Sequence, residues 1–248
     1  SIWDVFTHTP GKVVDGETGD IACDHYHRWQ RDIGLMQDIA LENYRLSLAW
    51  SRILPEGTGR IEERGLDFYD RLIEGLLENG IEPWVTLHHW DLPSALYDKG
   101  GWLSRDTCDA FAEYTDIVTR RYGDRVKHWI TINEPWCIAF LGYGLGIHAP
   151  GHRNLQETLQ VMHHVLLAHG MAMPVIRANV PGAVAGICLN PAPQIPYGDS
   201  QLDLEATTRA DGLRNRIWLD PLAGRGYPED ITEFFKSIWP EAGANDLA

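Results

Sequence analysis

The chain has 248 residues, 44% of them hydrophobic, enough for one sizeable α/β core or two small domains. Its formal net charge of −14 argues against nucleic acid and anionic membrane surfaces as partners. No apolar run reads as the ~20-residue length of a membrane span, so no membrane partner is expected either.

The opening Ser1-Ile2-Trp3-Asp4 reads neither as a start nor as a signal peptide, and an N-terminal piece is expected to be missing. Residues 1–24 are rich in turn formers (Thr9-Pro10-Gly11, Asp15-Gly16, Thr18-Gly19-Asp20) and read as loop. Over residues 25–40, Trp29, Ile33, Met36 and Ile39 recur near helical spacing. Residues 44–50 alternate, with Arg45, Ser47 and Ala49 on one side and Tyr44, Leu46, Leu48 and Trp50 on the other, which predicts a strand. A second helix carries Leu66, Tyr69, Leu72, Ile73, Leu76 and Leu77, stops at Asn79-Gly80, and leads to a strand over 85–89. A third opens near Ser104 with Phe111, Tyr114, Val118 and Tyr122 on its apolar face, and leads to a strand over 129–132. The fourth begins at Asn154, with Glu157 at capping-box spacing, and is expected to kink or stop at Pro174. Residues 184–189 read as the last strand, ending at Asn190, and residues 202–218 and 228–238 as further helix.

Strand–helix alternation without hairpin signals gives the α/β class, with parallel pairing through crossovers. A complete four-stranded doubly wound domain and part of a (β/α)8 TIM barrel both fit. Polar or aromatic groups close all four strands: Trp50-Ser51-Arg52, His89-Trp90-Asp91, Asn133-Glu134 and Asn190. A doubly wound sheet would gather ligand groups at one switch point, so the partial barrel is favoured, as a single incomplete domain over residues 1–248.

The chemistry centres on Asn133-Glu134-Pro135-Trp136, at the end of a buried strand. Pro135 lacks a backbone donor and ends regular structure, Asn133 can orient a ligand, and Trp136 can stack on one. In a regular strand Asn133 and Glu134 face opposite ways, so a shared pocket demands a bulge or twist. Apolar, Trp-lined surroundings disfavour the charged form of Glu134, which suits protonation of a leaving oxygen. Glycoside hydrolysis needs a second carboxylate ~5–5.5 Å away for retention or ~6.5–9.5 Å for inversion. Asp91 is the one other obvious strand-end acid, and its Leu92-Pro93 neighbours equally suit turn capping.

His25/His27, His88-His89 and His163-His164 lack metal-ligand spacing, so no metal is expected, and His89 better suits donation to sugar hydroxyls. Gly142-Tyr143-Gly144 resembles a phosphate loop without the strand-to-helix setting, and no cofactor is expected. Cys23, Cys108, Cys137 and Cys188 form no CxxC pair and read as buried thiols of a reduced, cytoplasmic compartment. Arg45 stands mid-strand on a face of small residues, either in a structural ion pair or orienting a catalytic carboxylate.

Taken together, Ser1-Ile2-Trp3-Asp4, Asp24-His25-Tyr26-His27-Arg28, Tyr44-Arg45, the run from Val85 to Pro93, Gly100-Gly101-Trp102, the run from Trp129 to Pro135, Gly142-Tyr143 and Ala149-Pro150-Gly151 resemble glycoside hydrolase family 1, the β-glucosidases and their relatives. Asp211-Gly212, Asn215-Arg216, Leu219-Asp220-Pro221-Leu222 and Gly226-Tyr227-Pro228 extend the likeness over essentially the whole chain.

The resemblance implies a (β/α)8 barrel and retaining hydrolysis of β-linked terminal sugars, with a β-linked oligosaccharide or glycoside as substrate. Glu134 matches the acid/base and Asn133 the donor to the sugar 2-hydroxyl. His89 and Trp90 match sugar-subsite contacts, and Arg45 the arginine supporting the nucleophile. Trp136, Cys137, His148 and Asn190 fall toward the leaving-group side. The family's first strand would precede Ser1, so the chain corresponds to approximately the second to fifth βα units. The nucleophile of the family lies in a Thr-Glu-Asn-Gly motif on the seventh strand, and these 248 residues contain no such motif. Leu46 also stands where the family has Phe. The chain alone is therefore expected to be inactive and to self-associate through open barrel edges. The rival readings are a non-catalytic carbohydrate-binding half barrel and an endo-acting barrel glycanase.

Overall fold

The computed structural model describes residues 1–240, 242, 243 and 246. The chain opens with α1 (Ile2–His8) and α2 (His25–Asp38), then β1 (Asn43–Ser47), a short α3 (Trp50–Ile53) and α4 (Glu63–Glu78). β2 (Glu82–His88), α5 (Ser94–Tyr97) and α6 (Asp106–Tyr122) follow, then β3 (His128–Asn133), a π-helix over Cys137–Gly144, α7 (Leu155–Asn179) and β4 (Val184–Cys188). α8 (Gln201–Asp211), α9 (Ile217–Leu222) and α10 (Glu229–Phe234) come last.

The strands form one sheet in the order β1-β2-β3-β4, every neighbouring pair parallel. The order never reverses, so no switch point of the doubly wound kind is present among the described residues. Four consecutive βα units make an arc of a (β/α)8 barrel.

Alternation along β1 sets which face does what. Leu46 is buried, whereas Arg45 and Ser47 are exposed on the face opposite the crossover helices. Those helices supply the core through Leu72, Ile73 and Leu76 of α4 and Phe111, Tyr114, Val118 and Tyr122 of α6, all at most 1% exposed. α7 packs on α6, β3 and β4 through Leu159, Met162, Val165 and Ile176. It alone among the described residues is long and apolar enough to cross a membrane, which the sequence reading overlooked; 61% of its apolar window is buried inside the protein.

Several expectations need correction. Residues 2–8 are helical, because Ser1 and Asp4 form a capping box: the Ser1 hydroxyl accepts from the Asp4 N–H, and the Asp4 carboxylate accepts from the terminal amine. β1 ends before Trp50, since the Ala49 N–H donates to the Tyr69 hydroxyl at 2.7 Å and the chain turns into α3. α7 continues through Pro174 to Asn179. Pro174 and Gly170, whose carbonyl loses its partner, both lie on the exposed flank, where water can serve that carbonyl. Cys108 and Cys137 are buried as expected, but Cys188 is half-buried and Cys23 exposed.

Candidate active site

The site is built at the carboxyl ends of the strands. Ile130 pairs with Gly186 and Asn133 with Cys188, so β3 carries one residue more than β4 over this interval. That is the bulge the adjacent Asn133 and Glu134 require. Glu134 adopts φ +46°, and its N–H donates to the Cys188 carbonyl at 2.7 Å. Trp90, closing β2, is also left-handed at φ +69°, and its indole N–H donates to the Asn133 carbonyl at 3.0 Å. Two non-glycine residues in this region, each strained by about 1–3 kcal/mol, are thus each pinned to a neighbouring strand, Trp90 to Asn133 of β3 and Glu134 to Cys188 of β4.

Arg45 points into the open face. Its Nε donates to Thr86 Oγ1 at 3.0 Å, Nη2 to Asn133 Oδ1, and Nη1 to Cys188 Sγ at 3.6 Å. Arg45 thus meets no carboxylate among the described residues, and its partners are a hydroxyl, an amide and a thiol. A guanidinium can only donate, so the Asn133 amide must turn its oxygen toward Arg45 and leave its NH2 for a ligand hydroxyl.

His88 and His89 separate. His88 is 1% exposed, edge-on to Trp50, Trp102 and Phe111, and burial pulls its pKa down to about 3. His89 is exposed, with Nδ1 2.9 Å from the Ser47 hydroxyl, and feels the charges of both Arg45 and Glu134. His89 and His148 are both lowered, first by partial desolvation among the neighbouring side chains, which favours the neutral ring with one donor and one acceptor nitrogen. His148 packs against Trp90 at 4.9 Å and Trp3 at 5.3 Å. The remaining histidines weighed as metal ligands engage elsewhere: His25 with Asp32, His27 with Asp24, His163 with Tyr227, and His164 with the Trp102 carbonyl.

Asp91 Oδ1 accepts the Trp3 N–H at 3.2 Å, while Ile2 N–H donates to the Leu92 carbonyl. Its carboxylate docks α1 on the β2 loop, a structural job, and burial raises its pKa.

Beyond Glu134 the wall continues through the π-helix and the end of β4. Cys137 Sγ lies 3.4 Å from Glu134 Oε2, and Asn190 Nδ2 donates to the same sulfur at 3.3 Å. The Arg214 guanidinium sits 3.8 Å over the Trp136 ring and donates to the Asn190 carbonyl at 2.8 Å, with Phe140 parallel to Trp136 at 5.5 Å.

The strand ends therefore gather Arg45, His89, Trp90, Asn133, Glu134, Trp136 and Asn190 along one rim. Sequence reasoning passed over Thr86, Ser47, Trp3 and Arg214. Strand alternation sets Ser47 on the face of Arg45 without giving it a role, and the pairing of Ser47 with Thr86 puts Thr86 on that face too. Arg214 lies far along the chain, and no spacing marks it.

The model of glycosyl hydrolase family 1 matches residues 1–248. β-Glucosidase A of Acetivibrio thermocellus is 49% identical over 236 residues, covering 95% of this chain and 53% of that protein. The crystal structure of the AHE enzyme from Alicyclobacillus herbarius superposes with a TM-score of 0.97 at 48% identity, covering 100% of this chain and 57% of that one. The β-glucosidase from Thermotoga maritima in complex with glucoimidazole gives a TM-score of 0.96 at 45% identity, covering 100% of this chain and 56% of that one. The chain spans about half the length of the curated relatives it matches. With a family match over its full extent, the chain belongs to glycosyl hydrolase family 1.

Proposed function

We propose that this chain carries the acid/base side of a retaining β-glycosidase that hydrolyses terminal β-linked sugars of glucoside type. The supporting observation is the bulge that brings Asn133 and Glu134, adjacent in sequence, onto a rim shared with Arg45 and His89. In this reading Glu134 protonates the glycosidic oxygen as the bond to the anomeric carbon breaks, then deprotonates the attacking water. Asn133, oxygen held by Arg45, presents its NH2 to the 2-hydroxyl. His89 contacts other hydroxyls as a neutral ring, and Trp90, whose N–H is already engaged by Asn133, offers its ring. Trp136 and Asn190 border the leaving group. The nucleophile is a carboxylate from outside these residues, and Arg45 supports it from below.

The test completes the barrel with the flanking segments of the Thermotoga maritima β-glucosidase and assays aryl β-glucosides of graded leaving-group acidity. Glu134→Gln should lower the rate by roughly 10²–10⁴-fold on poor leaving groups and far less on good ones. An equal loss across the series removes the acid/base assignment.

A further inference from the structure

We infer that Cys137 is a positioning residue for Glu134: its thiol, gripped by Asn190, binds Oε2 and leaves Oε1 as the oxygen that carries the transferable proton. The inference rests on the acid/base reading of Glu134 but adds a device that the family match does not supply.

Hydrogen-bond direction follows from the atoms. An amide nitrogen can only donate, so Asn190 Nδ2 occupies a sulfur lone pair. An ionised carboxylate can only accept, so the S–H must point at Oε2. When Glu134 takes up a proton, Oε2 keeps the S–H bond best as the carbonyl-type oxygen, which places the proton on Oε1. As the glycosidic C–O bond breaks, its electron pair stays on the departing oxygen and collects that proton. The carboxylate left behind is again the acceptor that the thiol faces.

The surroundings keep the thiol a thiol. Cys137 is 6% exposed, and burial, then the Glu134 carboxylate, push it up to about 11. The charged and titratable groups near the pair are Arg214 on the Cys137 side and His89 and His148 on the Glu134 side. Cys137 is also the first residue of the π-helix, and its N–H donates to the Glu134 carbonyl at 2.8 Å, so backbone and side chain both return to the same glutamate.

Two measurements test this. In the 248-residue chain, the alkylation rate of Cys137 is followed against pH by peptide mass. Glu134→Gln should lower the thiol midpoint by about one pH unit, because a like charge beside it is gone. Asn190→Ala should raise it. A folded Glu134→Gln protein with an unchanged midpoint overturns the contact. In the completed barrel, Cys137→Val fills the same space without a donor. It should reduce kcat on poor leaving groups roughly 3–10-fold at unchanged KM, and Cys137→Ser should restore it. Full kcat in Cys137→Val overturns the positioning role, with Cys137→Ala as the substitute if the valine protein does not fold. The thiol titration needs no turnover, so failure of the acid/base reading, seen in the leaving-group series, is told apart from failure of this one.

Discussion

Arg45 on β1 and Asn133 on β3 meet across the intervening strand, Nη2 of the arginine donating to Oδ1 of the amide. Thr86 on β2 accepts the Nε of the same guanidinium and the Cys188 thiol at the end of β4 accepts Nη1, so all four strands are tied by a single cation. Among the described residues no acid shares this face with Arg45 at ion-pair distance. The cation is stabilised by neutral acceptors and by its exposure to water, and it fixes which end of the Asn133 amide faces a ligand.

Arg45→Met should therefore act through Asn133. In the completed barrel we expect a loss in kcat/KM of roughly 10–100-fold, the size of one charged hydrogen bond. Asn133→Ala combined with Arg45→Met should lose little more than the worse single variant. Fully additive losses would assign Arg45 to the nucleophile alone.

His88 predicts a pH dependence of stability. Its unfolded value is near 6.5 and its folded value is about 3, lowered by burial. Above pH 6.5 both states are neutral at this ring. Below it the unfolded chain takes up a proton that the folded one refuses, so stability falls as pH drops toward 3. His88→Phe, placed among Trp50, Trp102 and Phe111, removes this dependence. Between pH 8 and pH 5.5 the variant should gain about 1.4 kcal/mol relative to wild type in urea titrations. Parallel pH curves for the two proteins would refute it.

Two glycines should respond oppositely to alanine. At Gly123 an added Cβ would stand 2.4 Å from both the Thr119 carbonyl oxygen and Val180 Cγ2, so Gly123→Ala should destabilise by about 1–3 kcal/mol. At Gly170, inside α7, it would meet nothing within 4 Å, so Gly170→Ala should stabilise by about 0.5–1 kcal/mol. Thermal unfolding of the two variants decides both.

These cases show what a sequence carries and what it withholds. The clash of strand parity at Asn133-Glu134 was legible, and it demanded the bulge now seen in the pairing with β4. The helices around Leu72 and Phe111 were legible because apolar spacing and burial coincide. α1 was not, since its capping box lies among turn-forming residues that dominate the local reading. The end of β1 was set by Tyr69, a partner from another element, and no local pattern announces it. Arg214 reaches Trp136 only because the turn of helix over Gly212–Arg216, between α8 and α9, returns to the segment after β4 through Arg214 to Asn190 and Asn215 to Ala192, which sequence distance hides.

The outer edges of β1 and β4 have no strand partner among the described residues, and the face bearing Arg45 is uncovered. Such edges present unpaired backbone groups and invite pairing with another chain. Val184, at the start of β4 and 58% exposed, adds apolar surface there. One carboxylate also cannot both protonate the leaving oxygen and attack the anomeric carbon in one step. The isolated 248-residue chain should accordingly show a mass that grows with concentration in light scattering, and no turnover of an aryl β-glucoside. Val184→Lys should shift it toward monomer, because a charge on an edge strand blocks pairing. A clean monomer that hydrolyses the glucoside, with activity abolished by Glu134→Gln, would show that these residues suffice for catalysis and would end the requirement for a second carboxylate from elsewhere.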